Sequence, residues 1–79
     1  MRTVVQTRYF GPTDNNGSRV KVTNLRGGAY KWHHWDYAIG HGPEQHMHAV
    51  RQCVAGVVSI EYGGEDANSY YWIVEKEGL

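Results

Sequence analysis

The sequence predicts an α+β domain: an antiparallel sheet of about four or five strands, meander first, with one helix over roughly residues 43–56 packed on one face. Three observations carry this. Strand-like alternation fills the first half of the chain. One apolar stripe at helical spacing follows a proline. A run of aromatic and β-branched residues closes the sequence.

TVVQTRYF (3–10) reads as the first strand, rich in β-branched and aromatic residues. GPTDNNGS (11–18) is a loop built of turn formers. RVKVT (19–23) alternates most clearly, with Val20 and Val22 on one side and Arg19, Lys21 and Thr23 on the other. NLRGG (24–28) is a second turn, and AYKWHHW (29–35) a third strand completing the meander. Asp36 is placed to cap a short turn through Tyr37, Ala38 and Ile39, which Gly40 and Gly42 would end. Pro43 and Glu44 suit a first helical turn: the proline has no N–H to leave unpaired, and the carboxylate meets the positive end of the dipole. Met47, Val50, Cys53, Val54 and Val57 then recur at spacings of three and four. VSIEY (58–62) is a short strand, GGEDANS (63–69) a polar turn, and SYYWIVEKE (69–77) the last strand. Its unbroken apolar run fits a central position.

With 79 residues the chain makes a single domain, 1–79. A chain so short buries only about 60% of its unfolded surface. That leaves room for a binding surface and little for a deep enclosed site. Cys53 is the one cysteine, which excludes an internal disulfide and a four-cysteine zinc site, and suits a reducing cytoplasm. No basic-then-apolar leader and no apolar run near 18 residues is present, so membrane spanning is not expected. Net charge is zero but segregated. Residues 1–31 carry six cations against Asp14, a balance of +5; residues 32–79 carry Arg51 and Lys76 against seven carboxylates, a balance of −5.

All five histidines lie in HHWDYAIGHGPEQHMHAV (33–50). A zinc centre needs three or four ligands converging on one point. His46 and His48 are two apart, about 200° around a helix. His33 and His34 are neighbours on a strand and point to opposite sides. Only a tertiary grouping of His34, His41 and His46 or His48 would make a metal site. The plainer expectation is that, of His46 and His48, one hydrogen-bonds or caps while the other is solvated. A catalytic reading lacks its parts: Cys53 sits on the apolar stripe, Ser59 and Ser69 lie in no nucleophile elbow, and no phosphate-loop or dinucleotide glycine pattern occurs. Neither an enzyme nor a cofactor is expected.

Two surfaces remain. Arg8, Arg19 and Lys21 would meet phosphates beside the loop 11–18, with Trp32 or Trp35 stacking on a base. The absence of net positive charge argues against direct nucleic-acid binding and leaves an oligomeric binder of a small signalling nucleotide as the alternative. The acidic set Glu61, Glu65, Asp66, Glu75 and Glu77 falls on adjacent C-terminal elements and would meet a basic protein surface. Three tryptophans and six tyrosines exceed what a thin core needs, so some should anchor a partner or a homodimer.

TRYFGPTDNNGSRVKV (7–22) resembles a pattern in small proteins encoded by bacteriophages and mobile elements. The likeness continues through Trp35-Asp36, the helix start His46-Met47-His48-Ala49-Val50 and the closing Tyr70-Tyr71-Trp72-Ile73-Val74. In size, in the absence of a catalytic motif and in one helix on a sheet, the chain also resembles small anti-CRISPR proteins. That resemblance implies a stoichiometric inhibitor in the host cytoplasm, bound to a CRISPR effector or other defence complex that handles nucleic acid. It carries no site of its own. From the residues, the expected contacts are Trp35, Tyr37 and His41 on the connection before the helix, with Glu61, Glu65, Asp66, Tyr70, Trp72 and Glu75 in the acidic half.

Overall fold

The computed structural model describes residues 1–13, 17–36, 38–39 and 42–77. Its strands are β1 (Arg2–Phe10), β2 (Arg19–Asn24), β3 (Tyr30–His34), β4 (Val57–Glu65) and β5 (Ser69–Lys76), with one helix, α1 (Pro43–Cys53), between β3 and β4. All neighbouring strands pair antiparallel in the order β3-β2-β1-β5-β4. β1 is therefore central, flanked by the meander on one side and by β5 on the other. α1 packs on β1, β2, β3 and β5, joining one sheet edge to the other. No helix among the described residues is long and apolar enough to cross a membrane.

Alternation decides the faces. Val5, Val20, Val22, Trp72 and Val74 point under the helix and meet Ala49 and Val50; all seven are buried. The register sets Val5 opposite Trp72, Thr7 between Val22 and Tyr70, and Thr3 opposite Val74. Their sequence neighbours face the other way, toward water.

The 24–28 turn between β2 and β3 forms as its residues dictate. Asn24 N–H donates to the Ala29 carbonyl (2.8 Å), and Asn24 Oδ1 accepts from Arg26 N–H (3.0 Å) and the Thr3 hydroxyl (2.8 Å). Gly27 and Gly28 supply the positive φ values (122° and 81°) that close it. Asp36 caps as expected: Ala38 N–H donates to its Oδ1 at 2.9 Å.

Several boundaries differ from the sequence reading. The helix ends at Cys53, not 56. Val54 takes extended backbone, its N–H still closing on the Val50 carbonyl (2.9 Å), and Gly56 (φ 72°) turns the chain into β4. β4 is longer than 58–62 and irregular, with register shifts at Val57/Ser59 and Tyr62/Gly64. The glycines of GGEDANS thus sit in a bulged strand, and the turn shrinks to residues 66–68. The buried face of α1 is Gln45, His46, Ala49 and Val50, with Cys53 and Val54 half-buried. Two polar residues occupy places an apolar count would skip. Gln45 clasps the Asp36 backbone, accepting from its N–H (3.1 Å) and donating to its carbonyl (2.6 Å). His46 is 3% exposed and bonds Thr7.

Candidate binding face of the sheet

Among the described residues no other element covers the face turned away from α1. Cross-strand pairing builds it in rows: Phe10, Arg19 and His34; then Arg8, Lys21 and Trp32; then Gln6, Thr23 and Tyr30. β2 contributes a cationic rib and is flanked by rings from β1 and β3. Tyr30 is 57% exposed and Trp32 44%. Phe10 and Trp32 meet edge to face with centroids 5.1 Å apart, and Tyr30 lies 6.4 Å from Trp32.

The cations rest on these rings. The Arg19 guanidinium carbon is 4.6 Å from the Trp32 centroid and 5.7 Å from that of Phe10. Arg8 lies 5.3 Å from Phe10, and Lys21 Nζ lies 4.3 Å from Tyr30. Such contacts hold a cation without neutralising it. The ion pairs formed among the described residues join Glu75 to Arg2 and to the Met1 amino group, at the far end of the sheet. Arg8, Arg19 and Lys21 thus have no carboxylate within ion-pair distance among the described residues. One Arg19 guanidinium nitrogen is buried with no hydrogen-bond partner among the described residues.

A polar border separates this basic half from the acidic one. Gln6 Nε2 donates to Tyr71 Oη and Ser69 Oγ (both 3.3 Å), and the Tyr71 hydroxyl donates to Asp66 (2.8 Å). That bond holds the Asp66 carboxyl below the usual carboxylate range and pushes the Tyr71 hydroxyl up. Beyond it, Arg2, Ser59, Glu61, Ile73 and Glu75 line a shallow cavity of about 170 Å³. The charge segregation of the sequence is a segregation in space for Arg8, Arg19 and Lys21, while Arg2 pairs across it with Glu75.

The expected partner contacts distribute unevenly. Glu61, Glu65 and Asp66 are exposed on β4 and its turn. Glu75 is half-buried and engaged by Arg2 and the Met1 amino group. Trp72 is not available: the β5 register turns it under the helix, where it is 1% exposed. Tyr70 shares that side and packs half-buried against His46, with centroids 4.5 Å apart. Trp35 is half-buried, edge-on to Tyr9 at 4.8 Å, and so packs with the core instead of standing free. Tyr37 and His41 lie outside the described residues. The rings that do stand on the open face include Phe10 and Tyr30, which the sequence reading had not assigned. The signal was present: Arg8 with Phe10, Arg19 with Lys21, and Tyr30 with Trp32 each share parity along a strand.

The described histidines do not converge; His41 lies outside the described residues. His34 is on the open face, while His46 and His48 lie on the other side of the sheet. His33 stacks edge-on against His48, centroids 5.3 Å apart; burial first and His48 second lower its pKa. Of the pair, His46 hydrogen-bonds as expected, but His48 is half-buried and not freely solvated. Among the described residues no three histidine, cysteine or carboxylate side chains gather as metal ligands would. Burial pushes the half-buried Cys53 thiol up, away from thiolate chemistry. Compared with known proteins, the chain matches no family model, no curated sequence and no solved structure.

Proposed function

We propose that this protein is a non-catalytic binding module that takes nucleotide units on its open sheet face. Arg8, Arg19 and Lys21 meet phosphates; Trp32, Tyr30 and Phe10 stack on bases. One observation carries this reading: three cations share a face with three aromatic rings, and none of the three is ion-paired with a carboxylate among the described residues. Arg8 does feel Asp66, adding to the Tyr71 hydrogen bond in holding that carboxyl down. Zero net charge is an average over the chain, whereas a ligand meets the local face. Titration of tryptophan fluorescence with nucleotides and short oligonucleotides in about 50 mM salt tests it, since only Trp32 of the three tryptophans lies on this face. Quenching that Arg8→Glu and Lys21→Glu abolish supports the reading; no response to any of these ligands sinks it.

A second reading keeps the inhibitor of a defence complex implied by the resemblance. Its support is the exposure of Glu61 and Glu65 on edge strand β4, with exposed Asp66 at the turn that follows. There the contact would be protein to protein, acidic edge to basic surface. Glu61→Lys with Glu65→Lys should restore interference by a reconstituted CRISPR effector that the parent protein blocks. If the parent leaves interference intact, this reading is wrong.

A further inference from the structure

We infer that the occupant of the open face is a single-stranded nucleic acid lying across β1, β2 and β3, and not a free nucleotide or a duplex. This rests on the proposal that the face takes nucleotide units, and it adds the form in which they arrive.

The argument begins with repetition. Cations recur at Arg19 and Lys21, two residues apart on β2, or about 7 Å at strand rise. Rings recur at Tyr30 and Trp32 on β3 with a centroid step of 6.4 Å. A mononucleotide offers one base and would use one ring, leaving the remaining rings and cations idle. A polymer presents phosphate and base again and again.

The step also excludes a duplex. Bases in a helix rise about 3.4 Å per residue along each strand. Rings nearly twice as far apart receive neighbouring bases only if those bases are unstacked. Single strands splay their bases in this way, and a duplex hides the base faces altogether.

Openness points the same way. Small-molecule sites are concave and enclose most of their ligand. A sheet face with Arg8, Tyr30, Trp32 and His34 exposed covers a ligand from one side only. Affinity must then come from contacts summed along a chain. The cations now lie over the ring faces a base would take. They are long side chains, so a strand can draw them toward its phosphates as its bases settle on the rings. The carboxylates Asp66, Glu61 and Glu75, on and beyond the polar border, repel phosphate and confine the strand to the β1–β3 half.

Fluorescence anisotropy of labelled oligothymidylates of increasing length, with thymidine monophosphate as competitor, decides the matter. Affinity should rise to roughly four nucleotides and then level off. A hairpin duplex should bind at least about tenfold more weakly. The slope of log K against log salt should be about −2, as three neutralised phosphates on a single strand imply. Trp32→Ala should weaken binding about tenfold or more, with Trp32→Phe recovering part of it. Circular dichroism would confirm that both variants fold. Thymidine monophosphate competing as well as the octamer overturns the single-strand inference but leaves the nucleotide face standing, and so does a duplex bound as tightly as the single strand. Absence of binding to every probe overturns both.

Discussion

Thr7 Oγ1 lies 2.7 Å from His46 Nδ1, joining the central strand to the helix through a buried bond. The same oxygen accepts from Trp72 Nε1–H at 3.0 Å. An indole nitrogen only donates. The assignment that satisfies all three groups has Thr7 accept from Trp72 and donate its own proton to a neutral His46. One small hydroxyl thus ties β1, β5 and α1 together.

Thr7→Val keeps the shape and removes the hydroxyl. Two buried polar atoms, Trp72 Nε1 and His46 Nδ1, then lose their partner, at about 1–3 kcal/mol for each group left unsatisfied. Urea unfolding should show a loss of roughly 2–4 kcal/mol, a large share of what so small a domain has. Thr7→Ser should lose distinctly less. An unchanged midpoint for Thr7→Val would mean that the hydroxyl does not hold the helix to the sheet.

His46 gives the fold a pH dependence of known sign. Burial lowers its pKa from 6.5 to about 4, so the folded state resists protonation that the unfolded chain accepts. The stabilisation is fully present above the unfolded pKa near 6.5 and is lost as pH falls through about 4. Between these values the unfolded state binds more protons, and stability should fall with pH at up to about 1.4 kcal/mol per unit. His46→Gln removes the titration and should flatten this limb in denaturation series run from pH 7 to pH 4.5. A wild-type curve that is level over that range would contradict a buried neutral imidazole.

The fold was legible where chemistry is local. Val20 and Val22 alternate against Arg19 and Lys21 because strand geometry permits nothing else, and Pro43 with Glu44 marked the helix start. Trp72 was misread because an unbroken Tyr70–Val74 run does not disclose parity; only pairing with Val5 shows which residues go under the helix. His46 and Gln45 were missed as core because their burial depends on partners 39 and 9 residues away, Thr7 and Asp36. The basic-aromatic face needed the register of three strands. Parity places Arg8, Lys21 and Trp32 on one side of their own strands, but nothing local aligns them in one row.

The β4 bulge between Tyr62 and Gly64 depends on glycine. Gly64 has φ 125°, a conformation L side chains rarely adopt. Gly64→Ala should destabilise by about 1–3 kcal/mol through backbone strain alone, since open space surrounds the position a Cβ would take. Gly63 is confined differently: a Cβ there would stand 3.2 Å from the Tyr71 carbonyl oxygen and 3.3 Å from Ile73 Cγ1. Both substitutions should move Glu61 and Tyr62 relative to β5, visible as amide shifts in that strand pair. A Gly64→Ala protein as stable as the parent would show that the bulge is not required.

Trp72 and Trp32 should separate stability from binding. Both are tryptophans on antiparallel strands, yet one is sealed beneath α1 and the other lies open on the far face. Trp72→Ala opens a cavity under the helix and leaves Thr7 with one partner fewer, so about 3–5 kcal/mol should be lost. In a domain of this size that is enough to unfold most of the population at 37 °C. Trp32→Ala removes an exposed ring and its contacts with Arg19 and Lys21, a loss of about 1 kcal/mol or less. Thermal melts of the two variants side by side measure the difference. Comparable losses would mean that Trp32 is a structural residue, and the case for a ring kept at the surface for a ligand would fail with it.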